Sequence, residues 1–286
     1  MLDVCFSLNR GILHGLLAAM NSLRLNTARL DELRVNIAAP PEEVAEFEEK
    51  IAAFFAGSTL NWRVGAFHEP AYLGTYLEAK FSPMTPKRRL SRQMQYGRMY
   101  FREIFPDVER MLYLDADVVV LADIAELFDT VALSADNYLA ATPNFFPAIF
   151  HFGNPIKALP ELRRFRQTFN SGVLFTDLRY WTADTERLMR HYLDWDASCR
   201  YGMLNSGDET LLNVMFKGYH QLPARWNRSG YGNMRWLSYA LMRPRRQISI
   251  LHWSGGHHKP WGRHRIPYRH IWQHYAQGPA SITAAA

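Results

Sequence analysis

Two carboxylates one residue apart interrupt an apolar run, Met111-Leu112-Tyr113-Leu114-Asp115-Ala116-Asp117-Val118-Val119-Val120. Read as one extended strand, the run is hydrophobic on both faces and belongs in the middle of a covered sheet. Side chains alternate with period two, so Asp115 and Asp117 project to the same side. Neighbouring carboxylates repel and lose hydration on burial, and a cation between them keeps both ionised at least cost. Hard oxygen donors suit Mg2+ or Mn2+, ions that keep open positions for phosphate oxygens. The plain alternative is a strand end whose acids face solvent or cap the next helix.

Three further clusters bear on that choice. In Phe169-Asn170-Ser171-Gly172-Val173-Leu174-Phe175 an amide, a hydroxyl and a glycine precede an apolar strand, allowing close approach of the backbone to a ligand. In Asn205-Ser206-Gly207-Asp208-Glu209-Thr210-Leu211-Leu212-Asn213 polar residues open a helix, with Asp208 and Glu209 beside its positive end. Capping alone would also account for those acids. The stretch Ile248 to Trp261 delivers His252 at the end of a strand, then a Gly255-Gly256 turn, then Lys259. A lone histidine there is usually a hydrogen-bonded core residue, whereas a glycine turn with a lysine supplies amides and a compact cation for a diphosphate. His257 and His258 are read as loop neighbours, not ligands.

The elements that must position these groups alternate. Strands are expected at Asp3 to Leu8, Leu33 to Ala38, Trp62 to Phe67 and Tyr138 to Thr142. Helices are expected at Ile12 to Leu25, Pro41 to Phe55, Ser91 to Ile104, Asp123 to Phe128 and Asp184 to Asp196. This pattern predicts an α/β fold with a mostly parallel central sheet and helices on both faces. Ser82 to Leu90 reads as a loop, Phe145 to Pro160 as an irregular flap, and the residues after Gly278 as a disordered tail.

The chain of 286 residues is long enough for a full core, and no apolar run reaches the roughly 20 residues that cross a bilayer. Cys5 and Cys199 are too few for a disulfide framework, and the amino-terminal segment lacks a basic region and cleavage site, so a cytoplasmic location is expected. The formal net charge is +6, with arginines gathered late, at Arg243, Arg245, Arg246, Arg263, Arg265 and Arg269. The last three are interleaved with Ile266, Tyr268, Trp272 and Tyr275. That composition suits an anionic membrane surface, or equally a solvated helix with a packed aromatic face. No nucleic-acid recognition motif accompanies the charge.

In order, Tyr-Leu-Asp-Ala-Asp, Asn-Ser-Gly-Val-Leu, Gly-Asp-Glu-Thr-Leu-Leu-Asn, Leu-Pro-Ala-Arg-Trp-Asn (Leu222 to Asn227) and His-Trp-Ser-Gly…Lys-Pro-Trp resemble the family 8 glycosyltransferases. These are retaining nucleotide-sugar enzymes that include lipopolysaccharide galactosyl- and glucosyltransferases. The resemblance implies a GT-A domain over residues 1–262 and a basic-aromatic segment with its tail over 263–286. It implies Mn2+, or Mg2+, on Asp115, Asp117 and His252. Donor contacts fall on Ser7, Asn9, Arg98, Ala116, Asn170, Gly255 and Lys259, and Asp208 and Glu209 take catalytic places. The partners implied are a UDP-sugar, with galactose or glucose leading, and a glycan or lipid-linked acceptor in surface polysaccharide synthesis, at the inner membrane face. The sequence departs from the family at Asn9, often Asp, at Lys259, one residue further from His252, and at Glu209, where glutamine is familiar. Two other readings stand beside it. One is a haloacid-dehalogenase-type phosphohydrolase with Asp115 as nucleophile, which needs an acid where Leu212 stands; the other is a catalytically silent sugar-binding relative.

Overall fold

The computed structural model describes residues 1–144, 151–164, 167–233, 247–255 and 258–278. In chain order these form β1 (Leu2–Ser7), α1 (Leu13–Asn26), β2 (Leu33–Ala39), α2 (Val44–Phe54), β3 (Asn61–Ala66), α3 (Ala71–Phe81), α4 (Pro86–Gly97), α5 (Phe101–Ile104), β4 (Arg110–Leu114) and β5 (Val118–Val120). There follow α6 (Ala125–Thr130), β6 (Leu139–Pro143), α7 (Pro155–Leu162), β7 (Phe169–Asp177), α8 (Ala183–Ser198), α9 (Asp208–Met215), β8 (His220–Gln221), β9 (Ile250–His252) and α10 (Arg269–Tyr275).

A seven-stranded sheet runs in the order β3-β2-β1-β4-β7-β6-β8, and β5 pairs with β9 in a separate two-stranded sheet. Strands β3, β2, β1 and β4 are parallel, whereas β7 is antiparallel to both β4 and β6. The expected α/β class is therefore observed, in a mixed sheet. Chain direction reverses laterally between β1 and β4. A crevice opens there at the carboxyl ends of the strands, the usual place for a ligand in such sheets.

Period-two alternation assigns the strands to two cores. Val4, Phe6, Leu112 and Leu114 face α1 and α2, while Cys5, Met111 and Tyr113 face α3, α4 and α8. A third cluster joins Ala18 of α1 to Val119, Leu251, Trp253, Ile266, Trp272 and Tyr275. Through it the carboxyl-terminal α10 packs on α1, and the Asn21 amide donates to the carbonyls of Tyr275 and Gln277. The aromatic residues of 263–278 thus belong to the core.

Several expectations change. The single strand over Met111–Val120 is two strands, because the chain leaves the large sheet after Leu114 and re-pairs with β9. Ser82 to Leu90 is not all loop: Thr85 caps α4, accepting from the Arg88 amide, and Pro86 takes the first helical position. The expected helix Ser91 to Ile104 is the end of α4 followed, after a break, by α5. Helix α3 was not expected. Within the expected flap, Asn154 caps α7 and Pro155 opens it. Residues 145–150 of that flap, Arg243, Arg245, Arg246, Gly256, His257 and the tail after Gly278 lie outside the described residues.

Candidate active site

The turn at Asp115-Ala116-Asp117 is held from two sides. The Asp115 amide donates to the Gly172 carbonyl of β7 at 2.8 Å, and the Trp253 amide donates to the Asp117 carbonyl at 3.0 Å. Val118 then pairs with His252. This brings the side chains of Asp115, Asp117 and His252 together, with one ligand atom of each lying within 4.8 Å of the others. Imidazole Nε2 is 3.3 Å from Asp117 Oδ1 and 3.9 Å from Asp115 Oδ2. It is buried and has no hydrogen-bond partner among the described residues. Two carboxylates and a nitrogen lone pair sharing one point form an oxygen-rich donor set, and a divalent cation fits it.

Electrostatics agree. Burial alone would raise the Asp117 carboxyl, but the adjoining His252 ring and Lys259 ammonium outweigh it and hold the group below its ordinary range. Lys259 Nζ lies 2.5 Å from Asp117 Oδ2. Arg98, itself buried, donates to Asp115 Oδ1 at 3.0 Å and to the Ser171 carbonyl at 2.6 Å, and its Nε is 3.3 Å from Asp208 Oδ2.

The cleft above this group holds about 270 Å³ and is lined by Ser7, Asn9, Arg98, Asp115, Ala116, Asp117 and Lys259, all expected from the sequence. Leu8, Ile12, Ser91, Met94, Gln95 and Trp261 complete its walls and were given no role from the sequence. The Ser7 hydroxyl donates to the Met94 carbonyl, and Asn9 accepts from the Gly11 amide and donates to Ser91.

A model of the family described as Glycosyl transferase family 8 matches residues 3–265. The chain belongs to that family. Probable galacturonosyltransferase-like 9 of Arabidopsis thaliana is 27% identical over 96% of this chain and 72% of its own length. Glycosyltransferase 8 domain-containing protein 1 of Danio rerio is 25% identical over 86% and 70%. Among solved structures, an active-site mutant of LgtC superimposes with a TM-score of 0.73 at 20% identity, covering 96% of this chain and 95% of that one. GlyE of Streptococcus pneumoniae gives 0.65 at 20% identity, covering 99% and 62%. These likenesses establish the GT-A fold. Family membership sets aside the phosphohydrolase reading, and Leu212, where that chemistry needs a second acid, is buried in the core.

In this family 8 glycosyltransferase a second polar group adjoins the triad. Glu209 Oε2 accepts from the Asn170 amide at 2.7 Å and the Ser171 backbone at 3.1 Å. Its other oxygen lies 3.6 Å from His151 Nδ1, an imidazole that burial disfavours as a cation. Burial also lifts the Glu209 carboxyl to about 7, against the lowering effect of the Ser171 amide. Asp208 is raised by burial, an effect opposed by Arg98 and reinforced by Asp115. Gly255 sits at φ +111°, where a Cβ would meet the Asn233 amide, so local conformation already requires glycine there. His151 carried no sequence signal. Asn227 closed a quoted motif without a role, although it lies 2.9 Å from His252.

Proposed function

We propose that this chain is a metal-dependent retaining glycosyltransferase that moves a hexosyl group, galactose or glucose, from UDP to a hydroxyl of a glycan or lipid-linked acceptor in surface polysaccharide synthesis. The observation that carries this reading is the convergence of Asp115, Asp117 and His252 on the floor of the cleft between β1 and β4.

Mn2+ or Mg2+ held by these three residues would supply Lewis-acid stabilisation of charge on the departing diphosphate. Lys259 would move from Asp117 to a diphosphate oxygen, adding a compact positive charge. Ser7 and Asn9, at the end of β1, would meet the nucleoside. Arg98 would hold Asp115 and Asp208 in place against the sugar. The glycosidic C–O bond to diphosphate breaks, and a new bond forms from the same anomeric carbon to the acceptor oxygen. The acceptor proton passes either to the departing phosphate oxygen or to a side-chain base. Glu209 Oε1, which accepts none of the hydrogen bonds described above, is the oxygen available for inner-face stabilisation or covalent capture.

A neutral hexose is favoured over a uronic acid on one observation. Among the described residues, the two cations lining the cleft, Arg98 and Lys259, both face carboxylates of the chain itself. We further propose a cytoplasmic location at the inner membrane face, where the exposed Arg263 and Arg265 would meet anionic lipid.

The test is a panel of UDP-sugars with and without Mn2+, followed by melting temperature and by UDP release. A ligand bound only to the folded state raises the melting point. UDP-galactose or UDP-glucose should do so only with metal, and UDP release should require it. Full transfer in thorough chelator ends the proposal; donor binding with neither hydrolysis nor transfer identifies a silent relative.

A further inference from the structure

Asn227 ends a short 3-10 turn, Ala224–Asn227, anchored by the buried Trp226. The next residue fixes it against β9: the Arg228 amide donates to the Ile250 carbonyl, and the His252 amide donates to the Arg228 carbonyl, each at 3.0 Å. The Asn227 side chain therefore lies between two groups of the site. Its Oδ1 is 2.9 Å from His252 Nδ1, and its Nδ2 is 3.0 Å from Asn170 Oδ1.

The direction of this chain of hydrogen bonds follows from a donor that cannot reverse. The backbone N–H of Gly172 donates to Asn170 Oδ1 at 3.2 Å. The Asn170 oxygen is thereby fixed, and its NH2 faces Glu209. Only an NH2 can then approach Asn170 Oδ1 from Asn227, so the Asn227 oxygen faces His252. That oxygen accepts, so the imidazole carries a proton on Nδ1, and in the neutral ring Nε2 is the lone pair. Nε2 is the atom directed at both aspartates.

We propose that Asn227 is a positioning residue that holds His252 in its metal-binding tautomer and ties that ligand, through Asn170, to Glu209. The inference rests on the metal reading given above. Partners of this kind commonly set ring orientation and ligand basicity in metal sites. Here one buried amide serves the ion site and the sugar-face carboxylate together.

The tautomer is read directly from two-bond 1H–15N correlations of 15N-histidine-labelled, metal-free protein. His252 is identified by the signal lost in His252→Gln. Neutral His252 should show protonated Nδ1; protonated Nε2 overturns the assignment without any Asn227 variant. Asn227→Leu should lose the Nδ1–H preference and weaken Mn2+ binding about 10-fold or more, followed by the electron paramagnetic resonance signal of free Mn2+. Asn227→Asp keeps an acceptor for Nδ1–H but cannot donate to Asn170. It should bind Mn2+ within about 3-fold of wild type while kcat falls, a split that lost packing alone would not produce. Folded Asn227→Leu with wild-type Mn2+ affinity overturns the proposal; if it does not fold, the wild-type spectrum and Asn227→Asp decide. A wild type without Mn2+ affinity removes the metal reading itself, whereas Mn2+ binding by an Nε2-protonated His252 removes only the role of Asn227.

Discussion

Gly172 passes so close to His252 that a Cβ on its backbone would stand 2.3 Å from imidazole Cε1, and 2.6 Å from Asp115 Oδ2. The glycine of Asn-Ser-Gly is therefore what lets the strand-borne histidine and the aspartate of the turn reach a common point. Gly172→Ala must push one of them away. Because the obstacle is a ring buried in the core, the strain should cost about 1–3 kcal/mol of stability. Mn2+ affinity should fall more steeply than stability, and calorimetric titration beside a denaturant melt separates the two. An alanine variant with unchanged Mn2+ affinity would show that these three side chains do not act together.

Asp115→Asn removes one charge but leaves Arg98 its contacts with Asp208 and the Ser171 and Gln95 carbonyls. The variant should fold. It should lose Mn2+-dependent stabilisation by UDP, and kcat/KM should drop by about 10³-fold, equivalent to ~4 kcal/mol of transition-state stabilisation. Equal loss of melting temperature and activity would instead mark Asp115 as structural.

Glu209 supplies a prediction in pH. Its carboxyl is raised by burial to about 7, above the ordinary value of 4.5. A raised acid favours the folded state below its unfolded pKa, and the benefit is lost as pH rises through the folded value. Wild type should therefore weaken between about pH 5 and 8 relative to Glu209→Gln, by on the order of 2–3 kcal/mol. Glutamine keeps an oxygen for the Asn170 and Ser171 donors, so the comparison isolates the charge. Parallel stability–pH curves for the two proteins would show that the carboxyl ionises as easily folded as unfolded.

Much of the site could be read from residue order. Asp115, Asp117 and Lys259 sit in short local patterns, and Gly172 marks a close approach that did prove to exist, toward protein side chains. The break between β4 and β5 could not be read, because an apolar run looks the same whether it keeps one partner or exchanges β7 for β9. Helix α4 was obscured by its charge: Pro86 to Gly97 carries several basic residues and few apolar ones, although Thr85-Pro86 is a good start signal. His151 and Asn227 adjoin the site through tertiary neighbours, Glu209 and His252, far away in sequence. No spacing rule reaches them.

The carboxyl-terminal segment can be divided by experiment into packing and charge. Trp272 and Tyr275 are buried against α1, and the Trp253 indole donates to the Pro267 carbonyl at 2.8 Å. Deleting everything after Trp261 would therefore disrupt the core, and loss of membrane association by that truncation would prove nothing. Trp272→Ala should destabilise by about 3–5 kcal/mol, as truncation of a large buried aromatic does. The doubly substituted Arg263→Glu, Arg265→Glu protein changes exposed positions, and a denaturant melt beside wild type shows what the change costs the fold. Its binding to vesicles containing anionic lipid should fall, each lost basic charge being worth about 1 kcal/mol near such a surface. Vesicle sedimentation at low and high salt reads this out. If the double variant sediments like wild type at both, these arginines do not meet the membrane.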